Sequence, residues 1–452
     1  MADPAILWLR RDLRLHDHPA LNAAVEQAGA GGVVPVFVVE PALWKGAGDA
    51  RRGWLAHTLK DLSDTYDGRL VLRMGDPEKV VPALAREVGA SSVHVSREST
   101  PHGRRRDEAV EDALGDVPLV ATGTPYAVAP GRVVKNDGTP YAVFTPFSRA
   151  WQDHGWPGAA NPPKNLRWAT ADSHKTAQDA VDKAAKGDPL LPVGEAAASE
   201  RWEDFVDEAI AAYDTDRDRP AVDGTSRMSA YLKLGVIHPR TLLSRISRLR
   251  STGASTLRTE LAWREFYADV LYHHPRSAWH DLRPALKGMT YDDPGEHVEA
   301  WKEGRTGFPF VDAGMRQLLE TGWMHNRVRM VTASFLTKDL HTWWPIGARH
   351  FMDHLIDGDI ASNNHGWQWV AGTGTDAAPY FRVFNPVTQG EKFDPQGDYV
   401  RRWVPELRHL EGKKAHSPWD HEAGYDEGYP ERIIDHKEER EEALRRYESA
   451  RG

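Results

Sequence analysis

The chain has 452 residues, with 57 Lys and Arg against 66 Asp and Glu, a formal net charge of −9; this length predicts two or three domains with ample core. The acidic balance argues against a basic nucleic-acid coat but leaves room for a local basic groove. Cysteine is absent, which excludes disulfides, a thiolate nucleophile, Cys-ligated zinc and Cys-held iron–sulfur clusters. The first third alternates strands and helices. Strands are predicted at Ile6–Arg10, 32–39 (GVVPVFVV), Arg69–Arg73, Ser92–Val95 and Leu119–Ala121. GVVPVFVV is nearly continuous in apolar residues, as a buried parallel strand should be. Helices are predicted between them at Pro19–Ala28, Arg51–Tyr66, Pro77–Val88 and Gly103–Leu114. Such alternation predicts an α/β, doubly wound parallel-sheet domain over residues 1–130. No GxGxxG follows the first strand, so a Gly-rich dinucleotide cradle is not indicated there.

Residues 131–199 are dominated by Pro, Ala, Lys and Asp and are expected to form a long, partly irregular connection. From residue 200 to 452 the period becomes helical, notably over Arg240–Leu249, Thr256–Leu271, Val311–Thr321, Asn326–Asp339 and Ala348–Leu355, and predicts an all-α domain. The Glu- and Arg-rich stretch from Pro430 reads as a solvated amphipathic helix. The N-terminus lacks a long apolar signal core, and no run approaches the roughly 18 apolar residues of a membrane span. A soluble, cytoplasmic protein is expected.

Several segments carry candidate chemistry. Residues 224–229 read GTSRMS, and their hydroxyls and backbone N–H groups suit either a phosphate site or an ordinary helix cap. Residues 260–267 read ELAWREFY and place Glu260, Trp263, Arg264 and Tyr267 on one helical face. That face could hydrogen-bond and stack on a base, or form a core stripe with an internal salt bridge. Asn326, Arg329 and Met330 share another face, from which Arg329 could pair with Asp357 or Asp359. Residues 357–369, DGDIASNNHGWQW, mix acids, amides and tryptophans. Buried acids and amides need partners, so the segment points to a protected pocket for a flat, polar-edged cofactor and to a redox or photochemical task. Asn363 would offer a neutral amide at the edge of a flavin-like ring. His350 and His354 are spaced i,i+4 but lack an HExxH motif, so no metal site is expected.

GTSRMS, ELAWREFY, TGWMHNRVRMVTASFLTKDL, DGDIASNNHGWQW and TGTDAAPYFRVFNPVTQGEKFDP, with WLRRDLRLHDHPAL near the N-terminus, together resemble the photolyase/cryptochrome family over nearly the whole chain. The resemblance is greatest to its class I members acting on cyclobutane pyrimidine dimers (CPD). It implies FAD in the helical domain and light-driven repair of UV-damaged DNA by a monomer with no obligate protein partner and no membrane. A cryptochrome-type blue-light sensor and a (6-4) photolyase are the alternatives. By motif position, Tyr213, Thr225, Ser226, Arg227, Met228 and Ser229 resemble contacts to the FAD phosphates and ribityl chain. The pair of Arg329 and Asp357, together with Asp359 and Asn363, resembles the groups around the flavin ring.

Asn326 and Met330 stand where (6-4) photolyases carry two histidines, which favours CPD repair. Glu260 resembles the acid that holds the dimer, Trp263 and Trp369 resemble the walls of its pocket, and Arg217, Arg327 and Arg382 resemble contacts to phosphates. DNA affinity is expected to come from a focused groove and to fall with salt. Trp367 and Trp344 match the first two members of the family's electron-hopping chain, whereas Tyr291 stands where a third tryptophan is usual. Slower or rerouted photoreduction, through a nearby Trp, follows as an expectation. Residues 100–107, TPHGRRRD, and Arg51 resemble the relatives that bind 8-hydroxy-5-deazaflavin as antenna, with methenyltetrahydrofolate, a second FAD or no antenna as alternatives.

Overall fold

The computed structural model describes residues 2–283, 286–375 and 382–451. Its strands are β1 (Ala5–Leu9), β2 (Val33–Val39), β3 (Val71–Met74), β4 (Ser92–Val95) and β5 (Leu119–Ala121). They form one sheet in the order β3-β2-β1-β4-β5, with every pair parallel. All seven residues of β2 are buried, which explains why its sequence does not alternate: both faces of a doubly wound sheet are covered. Helices Pro19–Ala28, Asp49–Thr65, Pro77–Val88 and Pro101–Leu114 connect the strands. Three of them begin with proline, whose fixed φ suits the first turn and whose missing N–H is not needed there.

After β3 the chain crosses to the other side of β1, so β1 and β4 meet at a topological switch point, the usual ligand crevice of such sheets. Charged and aromatic groups collect at its carboxyl edge. Arg10 stacks over Trp8 at 4.5 Å, and Arg106 lies 5.0 Å from the same ring. Arg10 also pairs with Asp107 at 2.9 Å and donates to the Ser96 carbonyl.

Packing divides the chain into two units. The sheet unit comprises residues 1–141, 145–208 and 226–275; the second comprises 142–144, 209–225 and 276–452. The connection expected to be partly irregular contains helices Phe144–His154 and Lys175–Ala184 and the start of Gly194–Glu208. They are short, and the Lys175–Ala184 helix buries just Ala177 and Val181, so their apolar period is faint against the Pro- and Lys-rich background.

The second unit is helical among its described residues. Its core runs through Phe308, Phe310, Met315, Val328, Trp344, Phe351 and Trp367. The helix at Asn326–Ser334 continues as a π-helical turn over Phe335–Asp339. There the buried Lys338 ammonium donates to the Ala371 carbonyl at 2.7 Å. Asp339 Oδ1 lies 2.5 Å from His436 Nδ1, and Glu439 lies 2.7 Å from His341, so the C-terminal helix His436–Arg451 is held by two acid–imidazole pairs. Burial raises the Asp339 carboxyl to about 6, against the opposing pull of His436. The folded chain should therefore take up this proton before the unfolded chain does. The group favours the native state most below the ordinary value of 3.8 and loses that contribution as pH rises through about 6. Asp339→Asn is expected to flatten this part of the stability–pH profile; an unchanged slope in pH-dependent urea unfolding would contradict it.

Candidate active site

In the second unit the chemistry gathers on two helices, Asn326–Ser334 and Ile360–Ala371. The sequence left Arg329 a choice of two acids, and the structure separates them. Arg329 Nη2 meets Asp357 Oδ2 at 3.0 Å, and its Nε donates to the Met324 carbonyl at 2.8 Å. Asp359 instead caps the second helix, accepting from the Ala361 and Ser362 N–H groups at 3.1 Å each. Asp357 is buried, and its Oδ1 has no hydrogen-bond partner among the described residues. A buried carboxylate oxygen left this way is costly, and it suits a ligand N–H.

Asn363 lies in the first turns of the Ile360–Ala371 helix. Its amide nitrogen donates to the Ala348 carbonyl at 3.1 Å and to Asn364 Oδ1 at 2.8 Å. Ala348 offers only an acceptor, so the amide orientation is determined and Asn363 Oδ1 remains as the acceptor. Asn326 is exposed at the start of its helix, with half-buried Arg327, Arg329 and Met330 following. Arg327 pairs with Asp218 at 2.7 Å and stacks over Phe393 at 4.3 Å. Arg217 lies 5.8 Å from the ring of buried Tyr213. Thr225 and Trp369 are half-buried, and Arg382 is exposed. Residues 376–381, in the middle of the TGTDAAPYFRVFN motif, lie outside the described residues.

Trp344 is fully buried and its indole N–H donates to Asp281 Oδ1 at 2.7 Å. Trp367 packs against Phe351, with ring centroids 5.0 Å apart. A Cβ at Gly347 would come within 2.2 Å of the Trp367 ring, so glycine is what lets the helix backbone approach this indole. Tyr291 is half-buried. Burial, and next the Asp281 carboxylate, hold its phenol above the ordinary value. Sequence reasoning missed Asp281; an acid in a loop with no neighbouring motif carries no signal of its own.

In the sheet unit, Glu260 and Trp263 are half-buried on the Thr252–His273 helix. Trp263 lies beside Tyr267, with ring centroids 5.4 Å apart and the planes tilted by 43°. Arg264, expected to share their face, is committed elsewhere: it donates to the Pro125 and Leu232 carbonyls and covers the Tyr126 ring at 4.5 Å. Glu265, not singled out in sequence, is buried and accepts from the Ala127 and Val128 N–H groups and the Trp151 indole at 2.6, 2.9 and 3.0 Å.

The GTSRMS segment is not an ordinary hydroxyl cap. The residue capping the Ser229–Leu234 helix is Met228, with no side-chain cap bond, while Ser229 is exposed. Ser226 Oγ accepts from the Met228 N–H at 3.4 Å, and Arg227 adopts φ +53°. Such backbone strain in a non-glycine residue clusters at ligand sites. Arg51 opens its helix half-exposed, 3.5 Å from the Gly46 carbonyl. His354 Nδ1 lies 2.9 Å from the His350 carbonyl, within their own helix. A cleft of about 760 Å³ between Asn22, Glu26, Asn161, Lys164 and Arg167 contains none of these residues.

Comparison with known proteins matches residues 5–165 to the family described as DNA photolyase and residues 256–449 to the FAD binding domain of DNA photolyase. The deoxyribodipyrimidine photo-lyase of Escherichia coli is 39% identical over 99% of this chain and 98% of its own. A bacterial class III photolyase from Agrobacterium tumefaciens superposes with a TM-score of 0.91 at 38% identity, over 100% of this chain and 98% of its own. A Synechocystis cryptochrome superposes with a TM-score of 0.86 at 26% identity, over 98% and 99%.

Proposed function

This chain belongs to the DNA photolyase family, and we propose that it repairs cyclobutane pyrimidine dimers in DNA by light-driven electron transfer, using FAD held by its helical part. Reduced FAD bound there would supply the photochemistry, as a light-driven one-electron donor to the dimer that is regenerated when the ring opens. The chain's own residues bind, orient and exclude water. The observation that supports this most is the Arg329–Asp357 pair. Arg329 belongs to the helix that presents Asn326 and Met330, and it holds Asp357 by one oxygen while the other stays buried and unpartnered. That helix therefore carries groups suited to the substrate and to the cofactor together.

In this reading Asp357 Oδ1 accepts from a ring-edge N–H, Asp359 and Asn363 Oδ1 face the same ring, and Tyr213, Thr225, Ser226, Arg227, Met228 and Ser229 hold the phosphates and ribityl chain. The damaged pair must leave the stack; photolyases are among the enzymes for which base extrusion is the general rule, and damage lowers its cost. By motif position Glu260 would hydrogen-bond the dimer carbonyls, Trp263 and Trp369 would each offer the dimer an aromatic face, and Asn326 and Met330 would contact it. Arg217, Arg327 and Arg382 contact phosphates, with Arg327 exchanging Asp218 for one. Trp367 and Trp344 pass electrons inward when the flavin must be recharged; Tyr291 stands, by motif position, where a third tryptophan is usual.

The division of labour assigns the antenna to residues 1–130 and FAD and lesion to residues 200–452, joined by residues 131–199. The antenna is 8-hydroxy-5-deazaflavin, with methenyltetrahydrofolate as the alternative. Arg51 and the crevice at the carboxyl ends of β1 and β4 support an antenna in the sheet unit. No helix among the described residues is long and apolar enough to cross a membrane. The proposed protein acts as a monomer on DNA alone.

Two duplexes distinguish the substrate, one carrying a cyclobutane dimer and one a (6-4) photoproduct, each illuminated with reduced enzyme. Loss of the cyclobutane dimer alone is expected. Loss of the (6-4) product would overturn the inference drawn from Asn326 and Met330.

A further inference from the structure

Trp343 stands out among the described residues as a large aromatic at the surface, 36% exposed. Its ring centroid lies 6.5 Å from that of fully buried Trp344, at an interplanar angle of 67°. Trp343 is the capping residue of the Trp344–His354 helix, and Pro345 stiffens the turn that follows. The two indoles thus form a rigid pair running from the core to water. Packing alone does not call for a half-hydrated indole here, since tryptophan gains most when buried.

We propose that Trp343, and not Tyr291, is the surface terminus of the route by which electrons reach the flavin. This rests on the photolyase reading above and names one step within it. Trp344, having given one electron inward toward photoexcited oxidised flavin, takes one electron from Trp343. Trp343 is left one electron short and releases its indole proton to water. A dissolved thiol then returns one electron and one proton to Trp343. In sum the thiol is oxidised by one electron and the flavin reduced by one.

Two physical reasons favour this terminus. A positive charge on Trp344 is buried, and charge moves favourably toward hydration; Trp343 is where water first meets the pair. Tyrosine must shed its phenolic proton as it is oxidised. Among the described residues the Tyr291 hydroxyl has no hydrogen-bond partner, while Oδ1 of the nearby Asp281 already accepts from Trp344. Burial and that carboxylate also hold the phenol above its ordinary value. Among the described residues no carboxylate or imidazole is hydrogen-bonded to that hydroxyl to receive the proton directly.

The test compares Trp343→Phe and Tyr291→Phe in flavin-loaded protein with dithiothreitol as donor. Trp343→Phe should slow photoreduction by about tenfold or more and remove the long-lived neutral indole radical from time-resolved spectra. Tyr291→Phe should leave both within about twofold. Illumination without donor should leave oxidised tryptophan at position 343, located by mass spectrometry of peptides. A phenoxyl radical in the unchanged protein, a loss of rate in Tyr291→Phe, or a normal rate in Trp343→Phe overturns the proposal. Dimer repair by chemically reduced, unsubstituted protein is measured beside these. Its absence would sink the repair reading, while the radical's identity still decides the terminus.

Discussion

Asp357→Ala should yield a folded chain that loses its FAD on gel filtration. The substitution leaves Arg329 without its acid and removes the buried, unpartnered carboxylate oxygen proposed to accept from the flavin ring. Removing one member of a fully buried pair costs about 3–5 kcal/mol. Arg329 keeps 25% of its side-chain exposure, so water recovers part of that. Loss of a hydrogen bond from a charged acceptor adds its own share, and together the expected loss of binding free energy is about 2–4 kcal/mol, roughly 30- to 1000-fold in Kd. Asp357→Asn keeps the shape and one acceptor and should fall between. Flavin content after dilution and a fluorescence titration check this; an alanine variant that retains FAD like the unchanged protein would remove Asp357 from the cofactor site.

Glu265→Ala should destabilise the sheet unit by about 3–5 kcal/mol, because three donors lose the buried carboxylate that accepts from them and each orphaned group costs about 1–3 kcal/mol. That is a large part of a typical stability of about 5–15 kcal/mol. Burial, outweighing Arg264 and the three donors, raises the Glu265 carboxyl above its ordinary 4.5. A raised acid favours the native state most below its unfolded value and loses that contribution as pH rises through its folded one. Glu265→Gln, which keeps one oxygen and the volume, should therefore be milder than alanine. Urea unfolding of both variants decides it. Equal, small losses would mean that the Ala127–Val128 turn does not depend on this carboxylate.

The strand and helix pattern of the first third was legible because each element carries an undisturbed period: Ser92–Val95, Leu119–Ala121, Pro19–Ala28 and Pro77–Val88 have the bounds expected. The helices within residues 131–199 were not, since few apolar positions mark them. At the candidate site the residue types were legible but their partners were not. Asp357 and Asp359 are two residues apart, and only the backbone turn between them makes one a helix cap and the other the partner of Arg329. Arg264 and Glu265 posed the reverse problem. They are adjacent on one helix, yet both are bound to backbone groups of the segment at residues 125–128, a long-range contact that no local pattern announces. Trp343 and Trp344 are likewise a plain doublet in sequence; burial of one and exposure of the other appear only in the fold.

Repair by light is tested most directly on a defined oligonucleotide carrying one thymine dimer, mixed with protein whose flavin has been chemically reduced. Loss of the dimer under blue light, with none in the dark, is the result predicted. No loss in the light, with flavin bound and reduced, would contradict it and favour a light-sensing role, with a protein partner then to be sought.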